Sequence, residues 1–470
     1  MKMKITSEQM TIGPRGPLKG EISPPPDKSI SHRAVMFASI ARGKSRIEDL
    51  LLAADTVSTL NAMKSLGAKI EGYGRPKTVA GFGAMHQNYE ITGGGLHGLS
   101  EPASFINCGN SGTTTRLLCG LLSGNPFFSV LSGDESLNSR PMKRVIEPLT
   151  RMGARIMARE SDSRPPIAIR GGGLRGIDYD MPVSSAQVKS ALMLAGLYAD
   201  GETVISEPCT SRNHTEVMLR SMGAEVEEEW ENETGDRVGE FNYTNKAHII
   251  KIRKPAEELD PFEIKIPTDF SSAAFFIVGA LITKNSEVRI KNVSLNRTRT
   301  GLLGALQLMG AKIDFLNVRE PGSGPQKEQE AIGDLFVKGA QELKKINIDR
   351  SMVPLMIDEI PILGIAAACA RGRSVIRGAA ELRVKESDRI KAMAAGLAAM
   401  GIAVEEFEDG LAVTGGEMRG AKIDSFGDHR IAMAFSMAAL AARGQSTING
   451  VEAVGISYPG FFRALKRLLK

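Results

Sequence analysis

The sequence predicts an α/β (α+β) protein of two domains with three repeated units in each, and three observations predict it. First, an apolar helix-like run, a short turn and a β-type run recur six times. The turns centre on Gly43, Gly124, Gly201, Asn285, Gly372 and Gly444, spaced 72 to 87 residues apart. A near-fixed period of this size marks repeated supersecondary units. Second, helix ends of the form Leu/Met-Gly-Ala/Ile recur at Gly67, Gly153, Gly223, Gly310 and Gly401. Glycine just past a helix supplies the left-handed residue that closes it. Third, Pro24-Pro25-Pro26 and Ile266-Pro267-Thr268 read as stiff extended pieces. They are the two crossovers, so one domain spans 27–266 and the other joins 1–26 to 267–470. A ligand cleft is expected between them, a common place for small-molecule sites.

Each unit reads in order as helix, turn, strand, further strand, helix and strand. The first helix follows a polar leader: Asp27-Lys28-Ser29, Asn110-Ser111-Gly112-Thr113, Ser184-Ser185-Ala186-Gln187, Asp269-Phe270-Ser271-Ser272, Asp358-Glu359 and Gly427-Asp428-His429-Arg430. These are good helix-starting residues. The second helix ends at the glycine cap, and a strand-like run such as Ala68-Lys69-Ile70 or Ala154-Arg155-Ile156 follows. A sixth such cap would fall near the last residue, where the amphipathic run Phe461–Leu469 has no glycine after it. Two segments, Glu227–Lys254 and Val318–Gly333, have many turn formers and few periodic apolar positions. They read as surface insertions that lengthen hairpins and carry no chemistry.

The chain of 470 residues is 42% hydrophobic and 24% charged, with net charge +5, ordinary values for a soluble protein. Basic and acidic residues interleave, which fits an anionic small molecule. A nucleic-acid groove would need a concentrated basic stripe and stacking aromatics, and aromatics are 5% with Trp230 alone of its type. Cys108, Cys119, Cys209 and Cys369 lack metal-ligand spacing and read as buried thiols. No metal or cofactor is expected. Met1–Glu8 has no apolar signal-like stretch, and Ala191–Ala199 and Ile431–Ala442 are too short to span a bilayer. The expectation is a cytoplasmic monomer with no membrane or nucleic-acid partner.

A helix N-terminus offers free backbone N–H groups and partial positive charge, so it suits anions. Cations lie at or near these starts: Lys28, Arg33, Arg116, Arg140, Arg212, Lys385, Arg389 and Arg430. Acids stand there too: Asp55, Asp269, Asp358, Glu359, Glu386, Asp388 and Asp428. Any one of them alone is a cap or a surface ion pair. Their coincidence across six equivalent positions points to a polyanionic substrate. Asp269, Asp358 and Asp428 each open a first helix of the second domain, and of these Asp269 and Asp428 read as mainly structural caps. The densest cluster is Leu382–Arg389, at the expected start of the helix that ends at Gly401. Lys385 and Arg389 share one face if both are helical.

Six motifs carry a resemblance: Asp27-Lys28-Ser29-Ile30-Ser31-His32-Arg33, Gly109-Asn110-Ser111-Gly112-Thr113-Thr114-Thr115-Arg116, Arg140-Pro141-Met142, Ser185-Ala186-Gln187-Val188-Lys189-Ser190, Arg383-Val384-Lys385-Glu386-Ser387-Asp388-Arg389 and Gly427-Asp428-His429-Arg430. In this order, over nearly the whole chain, they resemble the EPSP synthase family. The resemblance implies the enolpyruvyl transferase fold: two domains, each of three βαβαββ units around inward-facing helices, with a cleft that closes on substrate. It also implies transfer of the enolpyruvyl group of phosphoenolpyruvate to the 5-hydroxyl of 3-phosphoshikimate, with release of phosphate. By the same resemblance Lys28, Ser29, Arg33, Ser185, Ala186, Gln187, Arg212, Asp358 and Lys385 meet 3-phosphoshikimate. Lys28, Gly112, Arg140, Gln187, Arg389 and Arg430 meet phosphoenolpyruvate. Asp358 would deprotonate the 5-hydroxyl with Lys385 beside it, Glu386 would protonate C3 and later take a proton back, and Lys28 would supply charge and a proton. Substrates with two phosphates and two carboxylates require such a set of cations.

Some positions depart from the better-known branch of the family: Leu117 where it has proline, Glu381 for asparagine, Ala186 for a second serine, and Ile456 where a lysine contacts phosphoenolpyruvate. These changes resemble the second class of the family, often less sensitive to glyphosate. Gly112 differs from the alanine of the most tolerant members. One rival is the sister enolpyruvyl transferase acting on UDP-N-acetylglucosamine. It has a Lys-Asn start and a loop cysteine, whereas this chain has Lys28-Ser29 and no cysteine in Gly133–Ser139. The other is a non-enzymatic anion-binding repeat protein, which Asp358, Glu359 and Glu386 oppose.

Overall fold

The computed structural model describes residues 3–6, 8–79, 83–232, 234–239, 241, 245–322, 330–339 and 342–469. They form two compact units. One is built on Pro26–Ile266; the other joins Met1–Pro25 to Pro267–Glu320 and Glu330–Lys470.

One repeat shows the plan. Strand Ile106–Asn107 leads to helix Gly112–Ser123, strand Phe128–Ser132, helix Lys143–Arg151 and strands Arg155–Ala158 and Arg164–Arg170. The first two strands pair in parallel, and Arg164–Arg170 lies antiparallel between Phe128–Ser132 and Arg155–Ala158. This is βαβαββ, and the fold is α/β throughout. The same order holds in the sheet containing Glu202–Glu207 and in the sheet containing Arg373–Ile376.

The other three sheets borrow strands from distant sequence. Arg42–Leu51 pairs in parallel with Glu263–Lys265, and Glu287–Ser294 with Lys19–Ile22. In the last, Ser446–Asn449 pairs antiparallel with Gln9–Ile12, which in turn carries Lys4–Ile5. That explains the missing sixth cap. The strands that the terminal helix Phe461–Leu468 would have fed come from the other end of the chain.

The first helix of each repeat is interior. Phe270–Ile282 is buried at every position from Phe270 to Leu281, as a helix apolar on all sides requires. Two backbones come close where Gly120 faces Ala191: a Cβ on Gly120 would lie 2.0 Å from the Ala191 carbonyl oxygen. Of the six turn residues, Gly43, Gly201, Asn285, Gly372 and Gly444 take left-handed φ. Gly124 does not, with φ −83°. It is small for another reason, because its Cβ would lie 2.2 Å from the Tyr198 ring.

Two expectations need correction. Glu227–Lys254 is not a surface insertion. Val226–Glu231 and Ala247–Arg253 are paired strands of a five-stranded sheet, with Trp230 opposite His248, and both of those side chains are buried. The glutamates at 227–229 hid this strand: Glu227 is exposed, whereas Glu228 is nearly buried between Arg220 and His248, and sequence cannot tell the two apart. The second segment, Val318–Gly333, overlaps only the ends of the paired strands Ile313–Arg319 and Ile332–Lys338; it extends that hairpin as expected, residues 318–322 are exposed, and the tip at 323–329 lies outside the described residues. Finally, Lys385 is not helical. Ala380–Val384 is a 3₁₀ turn, Lys385 has ψ −148°, and the helix begins at Arg389 on an Asp388 cap. Lys385 and Arg389 therefore share no helix face.

Cys108, Cys119, Cys209 and Cys369 are free thiols. No described helix is long and apolar enough to cross a membrane.

Candidate active site

In the Pro26–Ile266 unit, three helix starts are tied together by polar side chains. Asp27 caps the helix Lys28–Ile40 by accepting from the Ile30 amide at 2.8 Å. Lys28, in its first turn, pairs with Asp55 at 3.2 Å. Arg33, one turn on, donates to the Ser29 carbonyl (3.1 Å), Thr215 Oγ1 (2.7 Å) and Ser190 Oγ (2.7 Å).

Ser111 caps the helix that begins at Gly112 by accepting from the Thr114 amide at 3.1 Å. Thr114 and Thr59 hydroxyls lie 2.7 Å apart, and His32 Nδ1 is 2.6 Å from Thr59 Oγ1. Burial, then the nearby Lys28 and Arg33 charges, push the His32 pKa well down, so this ring stays neutral. Arg116 donates to Gln187 Oε1 at 2.7 Å, and Gln187 Nε2 donates to Thr113 Oγ1 at 2.9 Å. Arg140 Nη2 donates to Asn110 Oδ1 at 2.5 Å, and Asn110 is held by Asp134 at 2.8 Å. Gly112 lies between the two guanidinium groups, and its absent side chain is what lets both approach. Ser185 starts the helix Ala186–Gly196 without a side-chain cap bond. Arg212 is half-buried on the loop after Ser211.

The other unit gathers a second group. Arg389 is 1% exposed and meets three carboxylates: Asp428 at 2.8 Å, Glu386 at 2.5 Å and Asp358 at 3.4 Å. Burial opposes its charge, but the three acids outweigh that and hold its pKa above the usual guanidinium value. Asp428 also caps its own helix at the Arg430 amide (2.8 Å). Arg430 reaches the other Asp358 oxygen at 3.4 Å. Asp358 does not cap a helix. The cap position belongs to Glu359, and Asp358 instead faces two guanidinium groups. Lys385 pairs with Glu381 at 3.5 Å.

Beneath this group lies a cluster that the sequence did not single out. Arg299, 2% exposed, pairs with both oxygens of buried Glu359 at 2.9 Å and with Asp269 at 3.5 Å. The Ser271 hydroxyl joins Glu359 and Arg299. Arg299 lies outside every leader, so no local signal marks it. The Asp55, Asn110 and Asp134 partners of Lys28 and Arg140 were also left unassigned. Each becomes visible only when distant helix starts are brought together.

The comparisons with known proteins agree with one another. The family model described as EPSP synthase (3-phosphoshikimate 1-carboxyvinyltransferase) matches residues 12–465. The chain is 49% identical to the 3-phosphoshikimate 1-carboxyvinyltransferase of Thermodesulfovibrio yellowstonii over 454 residues, 96% of this chain and 98% of that one. It is 47% identical to that of Geotalea uraniireducens over 460 residues, 98% and 99% of the two chains. Among solved structures, EPSP synthase from Acinetobacter baumannii has a TM-score of 0.80 at 43% identity, covering 98% of each chain. The enolpyruvyl transferase NikO from Streptomyces tendae has a TM-score of 0.73 at 17% identity, covering 98% of this chain and 97% of its own. It shares the fold.

Proposed function

The chain belongs to the EPSP synthase (3-phosphoshikimate 1-carboxyvinyltransferase) family, and on that premise we propose how its two groups of residues divide the work. The enzyme transfers the 1-carboxyvinyl group of phosphoenolpyruvate to the 5-hydroxyl of 3-phosphoshikimate and releases phosphate, a step of the shikimate pathway. In our reading Ser29, Arg33, Ser185, the Ala186 backbone, Gln187 and Arg212 hold 3-phosphoshikimate, with Lys28, Asp358 and Lys385 at its ring. Lys28, Arg140, Arg389 and Arg430 take the carboxylate and phosphate of phosphoenolpyruvate, with Gln187 and the Gly112 helix start beside them. Arginine suits this because its fork pairs two oxygens at once.

One observation carries the acid–base assignment. A single buried guanidinium, Arg389, holds Asp358 on one terminal nitrogen and Glu386 on the other. If Arg389 binds the phosphoenolpyruvate carboxylate, which is attached at C2, then C2 and C3 lie within reach of both acids. The incoming carboxylate competes for the guanidinium and frees them to exchange protons. Asp358 takes the proton of the 5-hydroxyl as its oxygen bonds to C2, and Glu386 delivers a proton to C3. In the second half, Glu386 removes a proton from C3 as the C2–O bond to phosphate breaks, and the departing phosphate takes up, by way of Lys28, the proton that Asp358 gained, so every group returns to its starting state. Guanidinium and ammonium groups meet every substrate charge, so the proposal requires no metal or cofactor.

Phosphate release from phosphoenolpyruvate, with and without 3-phosphoshikimate, tests this. Release should need both substrates. Glu386→Gln should cut turnover by about 10²–10⁴ while substrate affinity stays within a few-fold. Asp358→Ala should lose turnover and affinity for the 3-phosphoshikimate ring together. Wild-type turnover in Glu386→Gln sinks its assignment, and release with UDP-N-acetylglucosamine in place of 3-phosphoshikimate sinks the substrate reading. We also propose a cytoplasmic monomer, which mass measurement in solution and cell fractionation test.

A further inference from the structure

Lys189 has no part in the reaction as described, yet it is a fully buried lysine one turn into the helix that starts at Ser185 and Gln187. Such a charge is retained only with partners, and it has three. Its Nζ lies 2.8 Å from Glu207 Oε1, 2.7 Å from Glu216 Oε1 and 3.2 Å from the Ser211 carbonyl. Glu207 is as heavily engaged. It accepts from Lys189, from the Ser211 amide (2.7 Å) and from the Ser211 hydroxyl (2.6 Å), and it meets His248 Nδ1 at 2.9 Å. The other ring nitrogen of His248 meets Glu228 at 2.9 Å, and Arg220 donates to Glu228 at 2.7 Å. Two carboxylates on one imidazole require two N–H donors, so the ring is charged.

Glu216, Glu228 and His248 each offer one ligand atom, and these atoms lie within 4.8 Å of one another, a spacing a metal ion could use. Three side-chain cations already face these acids: Lys189 touches Glu216, Arg220 touches Glu228 and His248 bridges Glu207 and Glu228. Added positive charge is not needed, and the cluster reads as a tether instead.

What it tethers is the loop that ends at Arg212. Ser184 fixes Cys209 through two hydrogen bonds, 2.5 and 2.9 Å. Trp230 Nε1 donates to Thr210 Oγ1 at 3.1 Å. Glu207 and Lys189 hold Ser211 by its amide, hydroxyl and carbonyl. The next residue is Arg212. One ion pair, Lys189–Glu207, thus joins the start of the Ser185–Gln187 helix to the residue beside Arg212.

We propose that Lys189 and Glu207 are positioning residues for 3-phosphoshikimate, setting the separation between the Ser185–Gln187 helix start and the Arg212 loop. This rests on the roles proposed above for Ser185, Gln187 and Arg212. Displacing a substrate-holding group by about 1 Å can cost up to about 100-fold, and removing the tether releases the Arg212 loop while Arg116 and Thr113 still hold Gln187 and the phosphoenolpyruvate cations stay in place.

The test is steady-state phosphate release in Lys189→Met, Ser211→Ala and Arg212→Ala, varying each substrate at saturation of the other. Lys189→Met should raise the KM for 3-phosphoshikimate by about 10-fold or more, with the KM for phosphoenolpyruvate within about 2-fold of wild type. Ser211→Ala removes one hydrogen bond and leaves no buried charge unpaired. It should raise the same constant by about 3- to 10-fold, and it decides alone if Lys189→Met does not fold. A parallel rise in both KM values, or an unchanged 3-phosphoshikimate KM in folded variants, overturns the positioning role. If Arg212→Ala raises that KM and the other two do not, positioning fails and the site assignment stands. If Arg212→Ala leaves it unchanged, both fail.

Discussion

Adding one methyl group at Gly112 puts the reading of the phosphoenolpyruvate side under strain. A Cβ at this position would lie 2.8 Å from Arg116 Nη1 and 3.3 Å from Arg140 Nη1. Restoring an ordinary contact of 3.4 Å moves the Arg116 nitrogen by about 0.6 Å. That nitrogen donates to Gln187 at 2.7 Å, and Gln187 is itself held by Thr113 at 2.9 Å. If Gln187 does not follow, the bond lengthens to about 3.3 Å, the edge of useful range. Losing a hydrogen bond to a charged group costs about 1.5–3 kcal/mol, or about 10- to 100-fold at about 1.4 kcal/mol per decade. The fold should lose little beyond that bond. The clash falls on side-chain tips, and alanine is the better helix former.

Gly112→Ala should therefore raise the phosphoenolpyruvate KM by about 10- to 100-fold, with a melting temperature lowered by a few degrees at most. Glyphosate, slightly longer than phosphoenolpyruvate, should weaken more than the substrate does. The assay is phosphate release at saturating 3-phosphoshikimate, with glyphosate inhibition measured in parallel. A double-mutant cycle with Gln187→Ala isolates the cause, because the cost of the methyl should shrink once the Arg116–Gln187 bond is gone. A KM within about 2-fold of wild type would refute the displaced guanidinium. Equal weakening of substrate and inhibitor would refute the crowding of the inhibitor.

Gly120→Ala meets backbone and not a side-chain tip, 2.0 Å from the Ala191 oxygen. The two helices must part, at about 1–3 kcal/mol or more, so the Pro26–Ile266 unit should melt several degrees lower; an unchanged thermal transition would contradict this packing. Glu359→Gln strips buried Arg299 of its principal partner and should cost about 3–5 kcal/mol in chemical denaturation, as broken buried pairs do. A loss under about 1 kcal/mol would mean that Asp269 suffices. His248 has its pKa raised, because Glu207 and Glu228 outweigh burial and the Lys189 charge. A group raised in the folded state stabilises fully below its unfolded value, near pH 6.5, and that contribution is lost as pH rises through the folded value. Glu207 is lowered to about 2 by Lys189 and His248 against the effect of burial, so its contribution is present above about pH 4.5 and lost on acidification towards about 2. The single tryptophan, Trp230, stacks on His248 at 4.7 Å and should report the change as a fluorescence rise with a midpoint above 6.5. A midpoint below 6.5 would exclude the charged ring.

The repeat was legible because its signals are local. A left-handed cap or turn favours glycine or asparagine, and Gly67, Gly153, Gly223, Gly310, Gly401 and Asn285 all take positive φ. Leaders were legible for the same reason, since Asp27, Ser111 and Asp428 each accept a hydrogen bond from an amide in the first turn they cap. Local spacing misled where a residue's partner is remote. Lys385 and Arg389 look like one helix face, yet Arg389 is drawn to Asp428 and Asp358, and Lys385 to Glu381. The acidic run at Glu227–Glu229 looks like surface, yet Arg220 and His248 draw Glu228 into the sheet.

By itself the sequence determined the period, the helix starts and the residue types that can hold a polyanion, since each depends on a few neighbouring residues. Tertiary structure alone decided which strand completes each sheet and which acid meets which base. Gln9–Ile12 joins Ser446–Asn449, and Lys189 finds Glu207. Strand pairing and ion pairing are settled by proximity in space, and a chain's local pattern carries no record of what folds against it.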